Sequence, residues 1–208
     1  MRRNLTDIPA TRKLNSIFMD IIESIGNEKG EKLIRSIISQ LIDVSASDES
    51  FETSLGGQIY TDNAGVVRFI LCYLEEENMT KESWVNLWKM EKKRYVWTIE
   101  HIFPQGENIP PSWVEMIAGG NEQKAIELRE SHVHKLGNLT ISGFNSTLGN
   151  KSFKEKRDRR DRKGRYVGYL NGLHLNKDLA DRNSWKTSDI DDRTATLKEI
   201  VLELFKLR

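Results

Sequence analysis

The spacing of the apolar residues changes partway along the chain, and that change limits the fold more than any other feature. Through the first ninety-odd residues, apolar side chains recur at i, i+3, i+4 and i+7, which places them on one stripe of a helix. Leu14, Ile17, Phe18, Ile21, Ile22 and Ile25 form one stripe, with Gly26 as its stop signal. Leu33, Ile34, Ile37, Ile38, Leu41 and Ile42 form a second, and Val66, Val67, Ile70, Leu71 and Leu74 a third. All three read as helix faces that pack into a core. The stretch from Ser45 to Asn63 reads as a polar, Ser/Gly-bearing loop, and a short fourth helix is expected around Trp84, Leu87 and Trp88.

Past Lys92 the pattern becomes that of strands. Tyr95-Val96-Trp97-Thr98-Ile99 is β-branched and aromatic and runs into Glu100-His101-Ile102-Phe103-Pro104, where Pro104 ends regular pairing. Ser112 can cap a short helix holding Trp113, Val114 and Ile117, and Asn121 opens another that reaches Glu130. A second strand, Leu139-Thr140-Ile141-Ser142, is entered through a turn at Gly137-Asn138. A basic helix is expected from about 151 to 162, with Asn150 as its cap. A last helix carries Leu197, Ile200, Val201, Leu204 and Phe205, capped by Ser188 or Asp189. The expected class is α+β and mostly helical. It comprises a helical region over 1–93, a β–loop–β–α core over 94–165, and a C-terminal helical region over 166–208 that packs back on the core.

Charge sharpens the functional reading. The 208 residues hold 32 Lys+Arg against 31 Asp+Glu, a net charge of +1, which excludes a chain that is basic throughout. The positive charge is local: residues 151–165 hold nine Lys/Arg against Glu155, Asp158 and Asp161, a net +6, leaving −5 for the remainder. A basic segment on an otherwise acidic body suits a phosphate-binding surface. The single cysteine, Cys72, excludes an intrachain disulfide and any Cys-rich zinc knuckle. No run of 18 apolar residues is present, so no transmembrane helix is expected. The start, Met1-Arg2-Arg3-Asn4, leads into polar sequence rather than an apolar signal core, and a cytoplasmic location follows as the expectation.

Hydrolysis of a phosphodiester needs a base for the water, a cation for the developing charge, and a means of holding the phosphate. Glu100 and His101 stand together at a strand end, where alternation sends one side chain toward a metal and the other toward water. Asn145, opening the next helix, is a neutral oxygen donor that could complete a hard-cation site, or merely a helix cap. Magnesium needs few protein oxygens because it keeps waters and substrate phosphates. His132-x-His134 leaves a zinc reading open, since two imidazoles two apart on a strand share a face.

Three segments in this order resemble the HNH, or ββα-metal (His-Me finger), endonucleases, and among them the C-terminal nuclease domain of GmrSD-type restriction and phage-defence proteins. The segments are Ile99-Glu100-His101-Ile102-x-Pro104, then His134-x-Leu136-Gly137-Asn138-Leu139-Thr140, then Asn145-x-x-Leu148-x-Asn150-x-x-Phe153-x-x-Lys156. Trp185, Ile190 and Arg193 extend the likeness downstream. The resemblance implies an HNH nuclease core over 94–165 and a metal-dependent DNA endonuclease acting in anti-phage or modified-DNA restriction. His101 would be the general base, Asn138 the brace that orients it, and His134 a phosphate contact or structural partner. Glu100 and Asn145 would hold Mg2+ or Mn2+, rather than Zn2+, although the wider superfamily carries Asp where Glu100 stands. Lys151, Lys154, Lys156, Arg157 and Arg160 would meet the DNA backbone. Implied partners are phage or modified DNA and a ParB-like NTP-using domain or subunit, with no membrane. A catalytically weak DNA- or partner-binding module with a vestigial motif is the alternative.

Overall fold

The structure is a computed structural model that describes residues 11–206, with side chains from 15 onward. The polar start at 1–4 and the Leu14 side chain lie outside the described residues. Helices α1 (Thr11–Ile25) and α2 (Gly30–Asp43) pack together where the first two stripes predict them. Their stripes do not enter the core: Ile21 is buried, but Phe18 and Ile22 are 53% and 58% exposed, and α2 buries no residue.

The first helix to enter the core lies where a loop is expected. Helix α3 (Asp48–Gly56) starts at Ser47, whose hydroxyl accepts from the Ser50 amide, and wholly buries Phe51 and Leu55 one turn apart. Its seven other residues are Ser, Thr, Gly, Asp or Glu, so only this i, i+4 pair betrays it. Helix α4 (Ile59–Glu76) carries the third stripe, all buried, and bends at Asn63, whose side-chain oxygen caps the Val66 amide at 3.1 Å. Residues 81–89 form turns rather than the expected fourth helix. The Arg68 guanidinium, on α4, takes the carbonyls of Leu87 (2.5 Å) and Trp97, so Leu87 is buried without a helix while Trp84 stays exposed.

The expected strand from Tyr95 is interrupted at Val96-Trp97. β1 (Met90–Glu91) and β2 (Arg94–Tyr95) make a tight hairpin through Lys92 and Lys93, both at positive φ. β3 (Thr98–His101) then pairs antiparallel with β4 (Leu139–Ser142), with Glu100 opposite Thr140 and His101 opposite Leu139. Between them lie α5 (Pro111–Ala118), α6 (Glu122–His132) and a 3₁₀ turn at Leu136–Asn138. Pro110 precedes α5 in place of the expected Ser112 cap, whereas Asn121 caps α6 by accepting from the Lys124 amide.

After β4 come α7 (Asn145–Leu148), α8 (Phe153–Arg157), α9 (Lys177–Ala180) and α10 (Thr187–Leu204). The basic helix is thus five residues long, not twelve. Ser152, not Asn150, caps it, with Glu155 answering in a reciprocal capping box. It stops where Arg157 folds back onto Asp158 and the Arg182 carbonyl, and an Arg160–Tyr166 bridge follows. Asp189 accepts from the Lys186 amide at the start of α10.

Helix α10 lies directly on the 3₁₀ turn. A Cβ at Gly137 would stand 2.0 Å from the Ile190 carbonyl oxygen and 2.5 Å from Thr194 Oγ1, so this approach requires glycine. Arg193, buried, donates to the carbonyls of Gly137, Leu139 and Leu175 and pairs with Asp178. One apolar cluster joins α3, α4, Leu136, β4 and α10; a second gathers Ile102, Phe103, Trp113, Phe153, Trp185 and Ile190. Ile99 of β3 packs against the first cluster and Ile102, just past β3, enters the second, so α3 and α4 share a core with the β3–β4 segment. The chain is α+β and mostly helical, with two-stranded sheets. Among the described residues no helix is long and apolar enough to cross a membrane.

Candidate active site

β3 ends on Glu100-His101, and strand alternation sends the two side chains to opposite faces. His101 faces the start of α4. Its ring meets Tyr60 edge-on at 4.6 Å between centroids, and its Nε2 lies 3.2 Å from His134 Nδ1. His134 stacks on the same Tyr60 at 5.3 Å. The first turn of α4 straps the His134 segment down: Gln58 Oε1 accepts from the His134 amide, Gln58 Nε2 donates to the Glu130 carbonyl, and the Tyr60 amide donates to the His134 carbonyl.

His101 is 6% exposed, and burial lowers its pKa to about 3, with His134 and Lys156 adding to the effect. Burial also lowers the His134 pKa, followed by the charge of Arg129. Both imidazoles are therefore neutral at physiological pH. Neutral rings share this hydrogen bond with one donor and one acceptor, and in the tautomer whose donor is His101 Nε2–H, His101 keeps Nδ1 as a site for a proton.

On the opposite face, Glu100 (2% exposed) meets Lys156 (fully buried), Oε1 to Nζ 2.6 Å. Lys156 Nζ also donates to the His101 carbonyl at 2.7 Å, and the Tyr169 hydroxyl reaches Glu100 Oε1 at 3.5 Å. Burial pushes the Glu100 pKa up against the pull of Lys156, and pushes the Lys156 pKa down against the pull of Glu100. Lys156 has no access to a DNA backbone; its place is in the core, one turn from the buried Phe153.

Asn138, fully buried, closes the loop between the strands. Its side chain accepts from the Phe103 amide (2.8 Å) and the Trp185 indole (3.3 Å) and donates to the carbonyls of Phe103 and Val133. Its own carbonyl accepts from the Ile102 amide. Asn145 opens α7 and donates to the Ile99 carbonyl (2.6 Å) and Thr98 Oγ1 (3.2 Å), which joins α7 to β3.

The divalent ion implied by the resemblance does not fit this arrangement of Glu100 and Asn145. The Glu100 carboxylate is bridged by an ammonium group that a metal would have to displace, and Asn145 alone offers one neutral oxygen. Among the described residues no three His, Cys, Asp or Glu side chains gather as a metal cluster. The zinc reading fails as well: His132 ends α6 and reaches Asp191 and the Leu128 carbonyl, while His134 turns to His101, so the two share no strand face.

The remaining basic residues divide by exposure. Arg157 is committed to Asp158, the Arg182 carbonyl and Asn183. Lys154 and Arg160 are exposed and Lys151 is half-buried, with Arg160 lying over the Tyr166 ring. Beside α7, a groove is lined by Phe144, Thr147, Arg159, Arg160, Asp161, Arg162 and Val167, with Asp161 paired to Arg165. A different groove, carrying Glu107, Glu115 and Glu122, shares no lining residue with His101 or His134 and would repel phosphate.

Sequence reasoning misses Tyr60, Gln58 and the Glu100–Lys156 contact. Tyr60 and Gln58 carry no local signal, being some forty residues from His101. Lys156 does carry one: its i+3 spacing from Phe153 puts it on the apolar face of α8, a place unsuited to a solvent-facing lysine.

No curated protein and no solved structure matches the chain. Residues 45–200, which take in α3 through most of α10 and every residue of the His101 and Glu100 networks, match the family described as GmrSD restriction endonucleases, C-terminal domain, and the chain belongs to that family.

Proposed function

We propose that the chain is an HNH-type DNA endonuclease with His101 as general base. The observation that carries this reading is the hydrogen-bonded His101–His134 pair beside the end of β3, inside a restriction-endonuclease family match. With its Nε2 proton donated to His134, His101 presents Nδ1 to a water molecule. As the water oxygen attacks phosphorus, its proton passes to Nδ1 and the bond from phosphorus to the leaving oxygen breaks. Asn138 holds the loop that sets the His101 backbone, and Asn145 fixes α7, with its arginine-lined groove, against the same strand. Lys151, Lys154 and Arg160 supply backbone contacts that position DNA without reading its sequence. The proposed substrate is phage or otherwise modified DNA, and the proposed partner is a ParB-like NTP-using domain or subunit.

A divalent requirement is part of the proposal, although Glu100 is not positioned as its ligand. Supercoiled plasmid incubated with the protein in Mg2+ or Mn2+, against EDTA, is the test. Metal-dependent nicking or linearisation supports the reading, and an intact plasmid in every condition contradicts it. The second reading, a DNA- or partner-binding module without catalysis, is favoured by one observation: the carboxylate expected to hold the metal is tied up by Lys156. Salt-sensitive DNA binding without any cleavage would select it.

A further inference from the structure

We propose that Lys156 and Glu100 form a positioning pair for His101, in place of the DNA-contact and metal-ligand roles that their sequence context suggests. The inference rests on the nuclease reading for its catalytic consequence and on geometry for its structural one. Lys156 Nζ makes two short contacts in the core, to Glu100 Oε1 at 2.6 Å and to the His101 carbonyl at 2.7 Å. The second fixes the peptide group of the residue whose imidazole bonds His134 on the other face of the strand. A single ammonium therefore ties the main chain of His101 to α8. Helix α8 is itself immobilised: Ser152 and Glu155 close its first turn, Phe153 stacks on Trp185 at 6.0 Å, and Gly168 packs so closely that a Cβ would stand 1.8 Å from the Lys156 carbonyl oxygen.

Burying a lysine and a glutamate costs desolvation that an apolar pair would avoid, and a buried ion pair contributes little net stability. What the pair adds here is direction. The Glu100 carboxylate orients the ammonium, and the ammonium holds the carbonyl. Tyr169, buried beside Glu100, closes the remaining side of the network.

The test compares wild type with Lys156→Met and with the charge-neutral double variant Glu100→Gln/Lys156→Met, which leaves no buried charge unpaired if the single variant fails to fold. Three readouts are taken on each folded protein. The first is the imidazole N–H proton resonance of the His101–His134 hydrogen bond. The second is kcat for plasmid cleavage, and the third is DNA affinity against salt in EDTA. The positioning role predicts loss or broadening of the imidazole resonance and a kcat lower by about tenfold to a hundredfold, as misplacement of a catalytic group produces. DNA affinity and its salt slope stay as in wild type. An unchanged resonance with unchanged kcat overturns the proposal. So does weaker DNA binding with a salt slope reduced by about one, the mark of a phosphate that Lys156 had neutralised. If wild type cuts no DNA, the nuclease reading falls, and the imidazole resonance alone decides whether the pair positions His101.

Discussion

His101 Nε2 lies 3.2 Å from His134 Nδ1, and both rings touch Tyr60. The contact fixes the His101 ring; in the tautomer whose Nε2–H donates to His134, Nδ1 is the ring's acceptor nitrogen. Removing the partner should disorder the base without removing it. His134→Ala is expected to lower the single-turnover cleavage rate by about tenfold to a hundredfold. His134→Asn, whose carboxamide can still accept a hydrogen bond, should keep more of the rate. Equal rates in wild type and His134→Ala would show that the contact has no catalytic part.

The depressed pKa of His101 has a consequence for stability. In the unfolded chain a histidine titrates near 6.5, and in the folded protein His101 titrates at about 3. Above pH 6.5 both states are neutral and folding loses nothing. As pH falls from 6.5 toward 3, the unfolded state gains a proton that the folded state refuses, so stability declines through that window. Unfolding free energies from urea titrations at pH 7, 5 and 4 should fall less in His101→Gln than in wild type, the difference amounting to a few kcal/mol at the acid end. Parallel declines in the two proteins would contradict the buried, neutral assignment.

Gly137 shows how far the site depends on the C-terminal helix. A methyl group there meets the Ile190 carbonyl oxygen at 2.0 Å and must push α10 off the turn that carries Asn138. Gly137→Ala is expected to destabilise the fold by about 3 kcal/mol, at the upper end of overpacking costs, with a matching fall in Tm. A Tm within a degree of wild type would mean that α10 can shift freely.

These particulars explain what is legible in the sequence. The segments around His101, Asn138 and Asn145 stand out because each joins unusual residue types at fixed spacing, and two strands with the turn between them follow from their β-branched and Gly-Asn composition. The strap from Gln58 and Tyr60 is hidden, because a contact between α4 and the His134 segment depends on tertiary packing alone. Charge assigns Lys156 to solvent, although the spacing from Phe153 sets it on the buried face. Periodicity assigns the α1 and α2 stripes to a core because it reports amphipathicity, not what lies opposite; Phe18 and Ile22 remain exposed.

The groove beside α7 predicts where DNA runs. Arg159→Ala and Arg160→Ala, at its wall, should each weaken DNA binding across unrelated sequences and lower the salt slope by about one for each phosphate no longer neutralised. Filter binding or anisotropy over a salt series measures both quantities. A slope unchanged in the double variant would move the DNA to another face.

His101 is the residue proposed to take the proton from the attacking water. The most direct measurement of that role is single-turnover cleavage of plasmid DNA by His101→Gln, at enzyme concentrations that saturate binding, beside wild type in the same metal. The expected rate is lower by about a hundredfold to ten-thousandfold, with DNA affinity and Tm at neutral pH little changed. A His101→Gln rate within a few-fold of wild type would contradict that role.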